Sequence, residues 1–482
     1  MFEFLRTKKE TTPLLLLSFV YVALRIISLA TYHSVLANQI IAGIIIASFL
    51  YLCVKKPRLA FVILVAEFLL DGAGHFFELQ RLLLRTWFLG IFGVTWLLSL
   101  VKEKKLLAFF SAFPRIFFLQ IIALSLVILF AILNGFAKNN TPIYILQDAI
   151  LYLFVFLVFP AITFYPQIKK HFSSIAQAFI VGSGIFSLFS FFYYSSGIGI
   201  LRDTYYHWFR NVAGGKITDL GDNFFRIVLS EHLFIVPILL IITSLLIDNP
   251  KNKKFWLLLI PTSIVLVLNF SRIYFVALAV GMLILAIKNS FKKWFIVSTL
   301  VTACVLGLFS SFYFAASRGN SLGLPLLGLR IGGTTTPSAE TSGAIRLAIL
   351  PQAIEKIKSH PWIGSGLGTA ITYTDPTTKE SVTRTQFDWG YHEVLAELGI
   401  VGTFIFLFFL VSLIFSLGKI IYISSPFSQD PNLPLLRGLF AGAISLFIIN
   451  ITTPALFQGF GILYFVLLLS IILQVQTKPK VG

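Results

Sequence analysis

Residues 388–402 read DWGYHEVLAELGIVG and continue into TFIFLFFLVSLIFSLG, so a tryptophan, a histidine and two glutamates stand at the threshold of a long apolar run. A helix needs about twenty consecutive apolar residues to cross roughly 30 Å of hydrocarbon, and the run from 393 to 417 satisfies that. Buried cores rarely take this polar mixture unless each group has a partner. The meaning of the cluster therefore depends on the side of a membrane it faces.

The remainder of the chain supports the membrane reading. Of 482 residues, 57% are hydrophobic and 12% charged, with a mean hydropathy of +0.89, against about one-quarter charged residues in soluble domains. The fold class expected is an all-α polytopic membrane protein. A net charge of +18 would suggest nucleic acid in a soluble chain. Here the lysines and arginines flank apolar stretches, where they set topology, so membrane lipids are the expected surroundings and no nucleic acid is expected as a partner. Cys53 and Cys304 both lie inside apolar runs and indicate neither a disulfide framework nor a cysteine metal site. The first apolar segment follows MFEFLRTKKETT without a small-residue cleavage pattern and reads as a spanning helix.

Fourteen stretches read as spans, near 13–31, 36–54, 58–74, 84–101, 114–135, 147–165, 171–194, 229–247, 254–270, 272–289, 293–314, 393–417, 433–450 and 456–475. With the N-terminus cytoplasmic, the short inner connections carry Lys8 and Lys9, Lys55 and Lys56, Lys104 and Lys105, Lys169 and Lys170, Lys253 and Lys254, Lys292 and Lys293, and Lys419. The short outer ones carry only Arg81, Arg85, Lys138 and Arg272. That asymmetry makes both termini cytoplasmic.

Two outer segments, about 196–228 and 316–392, are too long and polar to be turns. The longer opens with a Gly/Ser/Pro/Thr-rich passage and becomes periodic in AIRLAILPQAIEKIKSH, with Pro351 expected to kink or interrupt the helix. It stops at HPWIGSGLG. The expected organisation is 1–315 as transmembrane helices, about eleven spans; 316–392 as a partly helical extracytoplasmic loop; and 393–482 as about three further spans.

Each chemical candidate carries two readings. Arg272 and Arg346 are either a snorkelling or exposed arginine or an anion site. His392 is either an interfacial histidine or an acid–base group working near neutrality. Arg81 and Arg85 share a helical face and serve either as anchors or as contacts to a phosphate. Trp208, Tyr205, Tyr206 and Trp389 either stack on sugars or line the interface.

In order, Asn269-Phe270-Ser271-Arg272, Arg346 with Pro351, His360-Pro361-Trp362-Ile363-Gly364-Ser365-Gly366-Leu367-Gly368, and His392 with Glu397-Leu398-Gly399 and Gly402 resemble the shared region of the O-antigen ligase and O-antigen polymerase superfamily. The resemblance spans roughly 255–415. Carried across, the family's essential arginines correspond to Arg272 and Arg346, and its essential histidine to His392. One departure is Glu393, where the family often has asparagine after the histidine.

The resemblance implies a bacterial inner-membrane glycosyltransferase of the lipid-carrier, GT-C type of helical fold. It would transfer a glycan from an undecaprenyl-diphosphate carrier to an acceptor hydroxyl, as in ligation to lipid A-core or, alternatively, polymerisation of carrier-linked repeats. Its active site would face the extracytoplasmic side. The expected residues are His392, Arg272 and Arg346 for catalysis, Arg272, Arg346, Arg81 and Arg85 for the diphosphate, and Trp208, Tyr205, Trp389, Tyr391 and Glu393 for glycan or acceptor. Arginines clamp phosphate in bidentate fashion, and no Asp-x-Asp occurs in an outer loop, so metal independence and no cofactor are expected. A multi-span transporter is the rival from another class, with Arg25 as the clearest charge at mid-bilayer depth.

Overall fold

A computed structural model describes residues 11–70, 72, 74–80, 82–104, 113–287, 289–332, 341–423 and 432–476. The protein is an all-α polytopic membrane protein in which a helix occupies each of the fourteen apolar stretches. Among the described residues, eight helices are long and apolar enough to span: Val35–Lys55, Leu84–Lys102, Arg115–Ala137, Pro142–Thr163, His171–Ser195, Ser230–Asp248, Phe291–Ala316 and Gly390–Tyr422. Leu16–Ala30, Arg272–Ala286, Leu433–Ile449 and Gly459–Val475 are apolar but shorter. Helices dominate because a backbone in hydrocarbon must satisfy its own polar groups. The described strands are three two-stranded hairpins.

The third apolar stretch forms the helix Pro57–Leu70, 14 residues long and so only about 21 Å. It stops before Gly72 and Gly74, both at positive φ. Its end needs donors for orphan carbonyls, and two arginines supply them. Arg25 donates from Nη1 to the Leu70 carbonyl at 2.8 Å, and Arg85 donates from Nη2 to the Gly72 carbonyl at 2.7 Å. Each guanidinium is paired with a carboxylate, Arg25 to Glu231 at 2.6 Å and Arg85 to Glu67 at 2.9 Å. Tyr21 adds its hydroxyl to Glu231. The charge at Arg25 is thus absorbed by a helix end and a glutamate.

The chain's contacts group into two compact units, each assembled from three segments. The first comprises Met1–Lys104, Pro160–Leu324 and Ser424–Gly442. Within it, the helix Tyr165–Ser195 packs against Thr11–Ala30, Pro57–Leu70 and Lys253–Asn269. Ser230–Asp248 lies at its centre, with 83% of its apolar window buried, whereas Val35–Lys55, at 11%, lies at the rim. The second unit comprises Lys105–Phe159, Pro325–Ile423 and Ala443–Gly482. Here Gly390–Ile423 packs against Arg115–Ala137, Thr341–Ser359 and Gly459–Gln476.

The polar segment of the second unit has its own core. Ile349 and Ala353 from the helix Thr341–Ser359, Ile371 and Tyr373 from the hairpin Ile371–Thr374/Ser381–Arg384, and Phe387 are buried together against Ala396. Burying the larger apolar side chains of this set, Ile349, Ile371 and Phe387, stabilises by about 1.5–3 kcal/mol each. This explains why the helix runs through Pro351 without interruption. A proline inside a helix costs about 3 kcal/mol, and the packed face on either side of Pro351 offsets it.

Candidate functional site

The helix that opens at Gly390 is broken at Gly399, where φ is 65° and ψ −175°, a combination essentially restricted to glycine. The HPWIGSGLG loop occupies the break. In an unbroken helix Ile400 N–H would donate to Ala396 and Val401 N–H to Glu397. Instead, Ser365 N–H donates to the Ala396 carbonyl at 2.7 Å and Gly366 N–H to the Glu397 carbonyl at 3.1 Å. Ile400 and Val401 donate outward, to the carbonyls of Pro361 at 2.8 Å and Trp362 at 3.2 Å. Four backbone groups exchange partners and none is left over. A Cβ on Gly364 would collide with the Glu397 carbonyl and one on Gly399 with the Gly364 nitrogen.

A second wall holds the same loop. Asn134 Nδ2 donates to the Gly364 carbonyl at 3.0 Å, and Asn140 Nδ2 to the carbonyls of Ser365 at 3.1 Å and Leu367 at 2.8 Å. Leu367 N–H donates to the Ala131 carbonyl at 3.0 Å, and Gly368 N–H to Asp148 Oδ2 at 2.9 Å. Lys138 Nζ lies 2.6 Å from His360 Nε2. None of Asn134, Asn140 and Asp148 is singled out by sequence reasoning. Their signal was present: amides and a carboxylate in or beside apolar helices are costly and mark structural or functional contacts.

His392 sits in the first turn of the same helix and is half-buried. Its ring meets Trp389 edge-on, with centroids 5.7 Å apart and planes at 69°. Trp389 in turn donates from Nε1 to the backbone carbonyl of Arg346 at 3.1 Å. The second unit therefore brings Arg346, Trp389 and His392 into one connected set, with Trp389 packed on the subdomain core. Tyr391 donates its hydroxyl to the Phe447 carbonyl at 2.8 Å. Glu393 is buried, and its Oε2 accepts from Phe387 N–H at 2.8 Å. Its carboxylate thus ties the entering loop to the helix that carries His392.

The remaining expected residues belong to the first unit. Arg272 opens the helix Arg272–Ala286, directly after a turn in which Phe270 is left-handed, at φ 46°. Arg81 lies outside the described residues. Arg85 is buried, with Glu67 and the Gly72 carbonyl on its guanidinium and the Phe68 ring 4.2 Å away. Trp208 has no exposed surface; its Nε1 donates to Ser28 Oγ at 3.1 Å and its ring stacks on Phe76. Tyr205 is buried beside it, its hydroxyl 2.7 Å from Ser190 Oγ, and burial pushes its ionisation well above the ordinary tyrosine value. Both rings spend their faces on protein partners, because the helix Arg202–Asn211 turns Tyr205, Trp208 and Phe209 inward.

No curated protein and no solved structure matches the chain. A family model described as O-Antigen ligase matches residues 257–407. The matched stretch contains the Arg272 turn, Arg346, the loop that fills the helix break, and His392. Over that stretch the chain is similar to the O-antigen ligase family.

Proposed function

We propose that the chain is an O-antigen ligase-like glycosyltransferase of the GT-C type, transferring a glycan from an undecaprenyl-diphosphate carrier to a hydroxyl of lipid A-core or a similar acceptor. The observation that carries the reading is the Arg346–Trp389–His392 set, in which a cationic residue's backbone and an imidazole are tied to one tryptophan on a packed core. In the proposed reaction, neutral His392 accepts the proton of the acceptor hydroxyl. The acceptor oxygen bonds to the anomeric carbon as the bond from that carbon to the diphosphate oxygen breaks. The carrier diphosphate leaves with the electron pair, and Arg346 and Arg272 balance its charge. Two guanidiniums suit this role because each can present a planar pair of donors to phosphate. Metal independence is part of the proposal, and undiminished transfer in a chelator is its test.

Arg81 remains in the proposal as a diphosphate contact. Arg85, engaged by Glu67, contributes to the end of the Pro57–Leu70 helix, and its place in the donor set depends on a measurable donor contact. The lysine distribution favours cytoplasmic termini and an extracytoplasmic 316–392 segment in the bacterial inner membrane. Single cysteines at Lys379 and Lys253, treated with an impermeant reagent, test it: labelling of Lys379→Cys from the cytoplasmic side alone would overturn the orientation. Arg25, the charge that best supported a transporter, is buried, paired with Glu231 and bonded to the Leu70 carbonyl, which fits a structural role. The functional test is to incubate purified protein with carrier-linked oligosaccharide and lipid A-core and identify the products. Glycan on lipid A-core supports ligation, lengthened carrier-linked glycan supports polymerisation, and neither product refutes both.

A further inference from the structure

We infer that Arg226 is a positioning residue that fixes the turn from which Arg272 projects; the inference rests on the reading of Arg272 as a donor-site cation. The sequence of the 196–228 segment, with Asp219, Asp222 and Arg226 close together, reads as local loop polarity. The fold gives Arg226 a different task. The helix Lys253–Asn269 ends because Phe270 takes the left-handed conformation, and carbonyls in a last turn lack helical partners. Arg226 Nε donates to the Asn269 carbonyl at 2.6 Å, a short, charge-assisted bond. The Asn269 side-chain amide lies 3.2 Å from His232 Nδ1, and Asn269 is 1% exposed. Neighbours outside its own helix therefore hold both its backbone and its side chain.

The same hairpin supplies an apolar hold. Phe270 lies parallel to Phe309 at 5.0 Å and edge-on to Phe224 at 5.8 Å. Phe224 and Arg226 are two residues apart, at the start of the strand Phe225–Val228, which pairs with Lys216–Asp219. Ser271, the cap of the next helix, makes no side-chain capping bond. The geometry of the turn thus comes from the hairpin and His232, and Arg272 is the first residue of the helix that follows.

The test uses the full chain in lipid nanodiscs, with Cys53 and Cys304 replaced by alanine, a nitroxide on Ser271→Cys, and undecaprenyl diphosphate as the binding probe. Arg226→Gln is expected to mobilise the nitroxide and to weaken probe binding about tenfold. Arg226→Lys keeps a charged donor for the Asn269 carbonyl and restores both in part. Combined with Arg272→Gln, Arg226→Gln is expected to add no further loss, since it acts through Arg272. Additive losses, or an unchanged nitroxide spectrum in folded Arg226→Gln, overturn the role. If Arg226→Gln does not fold, Arg226→Lys is read instead: a partly mobilised spectrum with weaker binding supports the role, and no change in either overturns it. If the unsubstituted protein does not bind the probe, the donor-site reading of Arg272 fails, while the nitroxide spectra still decide whether Arg226 holds the turn.

Discussion

Two helix breaks, one in each unit, carry candidate residues, and they are closed in different ways. At Phe270 a side chain of the Lys216–Val228 hairpin, Arg226, donates to the buried Asn269 carbonyl, and aromatic rings hold the turn. At Gly399 the closure is made by backbone, with Ser365, Gly366, Pro361 and Trp362 exchanging hydrogen bonds with the broken helix. The difference is one of tolerance. A closure by side chains admits substitution at the break itself, since the left-handed region is open to asparagine as well as glycine. A closure by an inserted backbone admits no Cβ, because the approaching loop fills the space.

Gly399→Ala should therefore have the largest effect, on the order of 4 kcal/mol from backbone strain and overlap combined. It should abolish the folded subdomain, seen as rapid proteolysis between 341 and 389; wild-type resistance to protease would break the comparison. His392→Ala should leave that resistance intact and lower transfer by about 10²–10⁴-fold, with His392→Gln giving little recovery. Full transfer by folded His392→Ala across about pH 5–9, which brackets the unperturbed imidazole, would leave His392 as a packing residue. Asn140→Ala removes two side-chain bonds to the inserted loop and should cost about 1–3 kcal/mol, lowering the midpoint of thermal unfolding with the proposed catalytic set still in place.

The smallest effect concerns Asp375, at the tip of the hairpin between Ile371 and Arg384. Thr377 N–H, at 2.7 Å, holds its carboxyl below the usual aspartate range. A depressed carboxyl contributes above its unfolded value, about 3.9, and loses that contribution as pH falls through the lower folded value. Amide exchange at Thr377 and Thr378 should accelerate only in acid below that range, and Asp375→Asn should remove the pH dependence without changing transfer.

How much of this was legible follows from the range of each interaction. Pro351 illustrates a local rule that leaves two outcomes: the residue predicts a kink or an interruption, and the helix is not interrupted, with Ile349 and Ala353 packed on Ile371 and Phe387. Arg81 and Arg85 illustrate a rule with too little reach. Their four-residue spacing predicts a shared helical face, but the helix begins only at Leu84, after the strand Leu82–Leu83, and Arg85 is buried against Glu67, 18 positions away. Trp208 and Tyr205 have the composition of an interface and are buried all the same. Glu393 reads as a neighbour of the proposed base, and only the fold shows its carboxylate turned to the Phe387 amide.

The sequence by itself determined that this chain lies in a membrane and where its helices are, because the cost of an unsatisfied backbone group in hydrocarbon acts segment by segment and is written in local apolarity. It also carried the ordered arginines, glycines and histidine of the resemblance, since each belongs to a short motif. Only the tertiary structure decided what those motifs touch. The partners of the HPWIGSGLG loop are carbonyls and amides more than thirty residues later in the chain and side chains more than two hundred residues earlier. Every residue type carries the same backbone groups, so no composition announces which of them will meet.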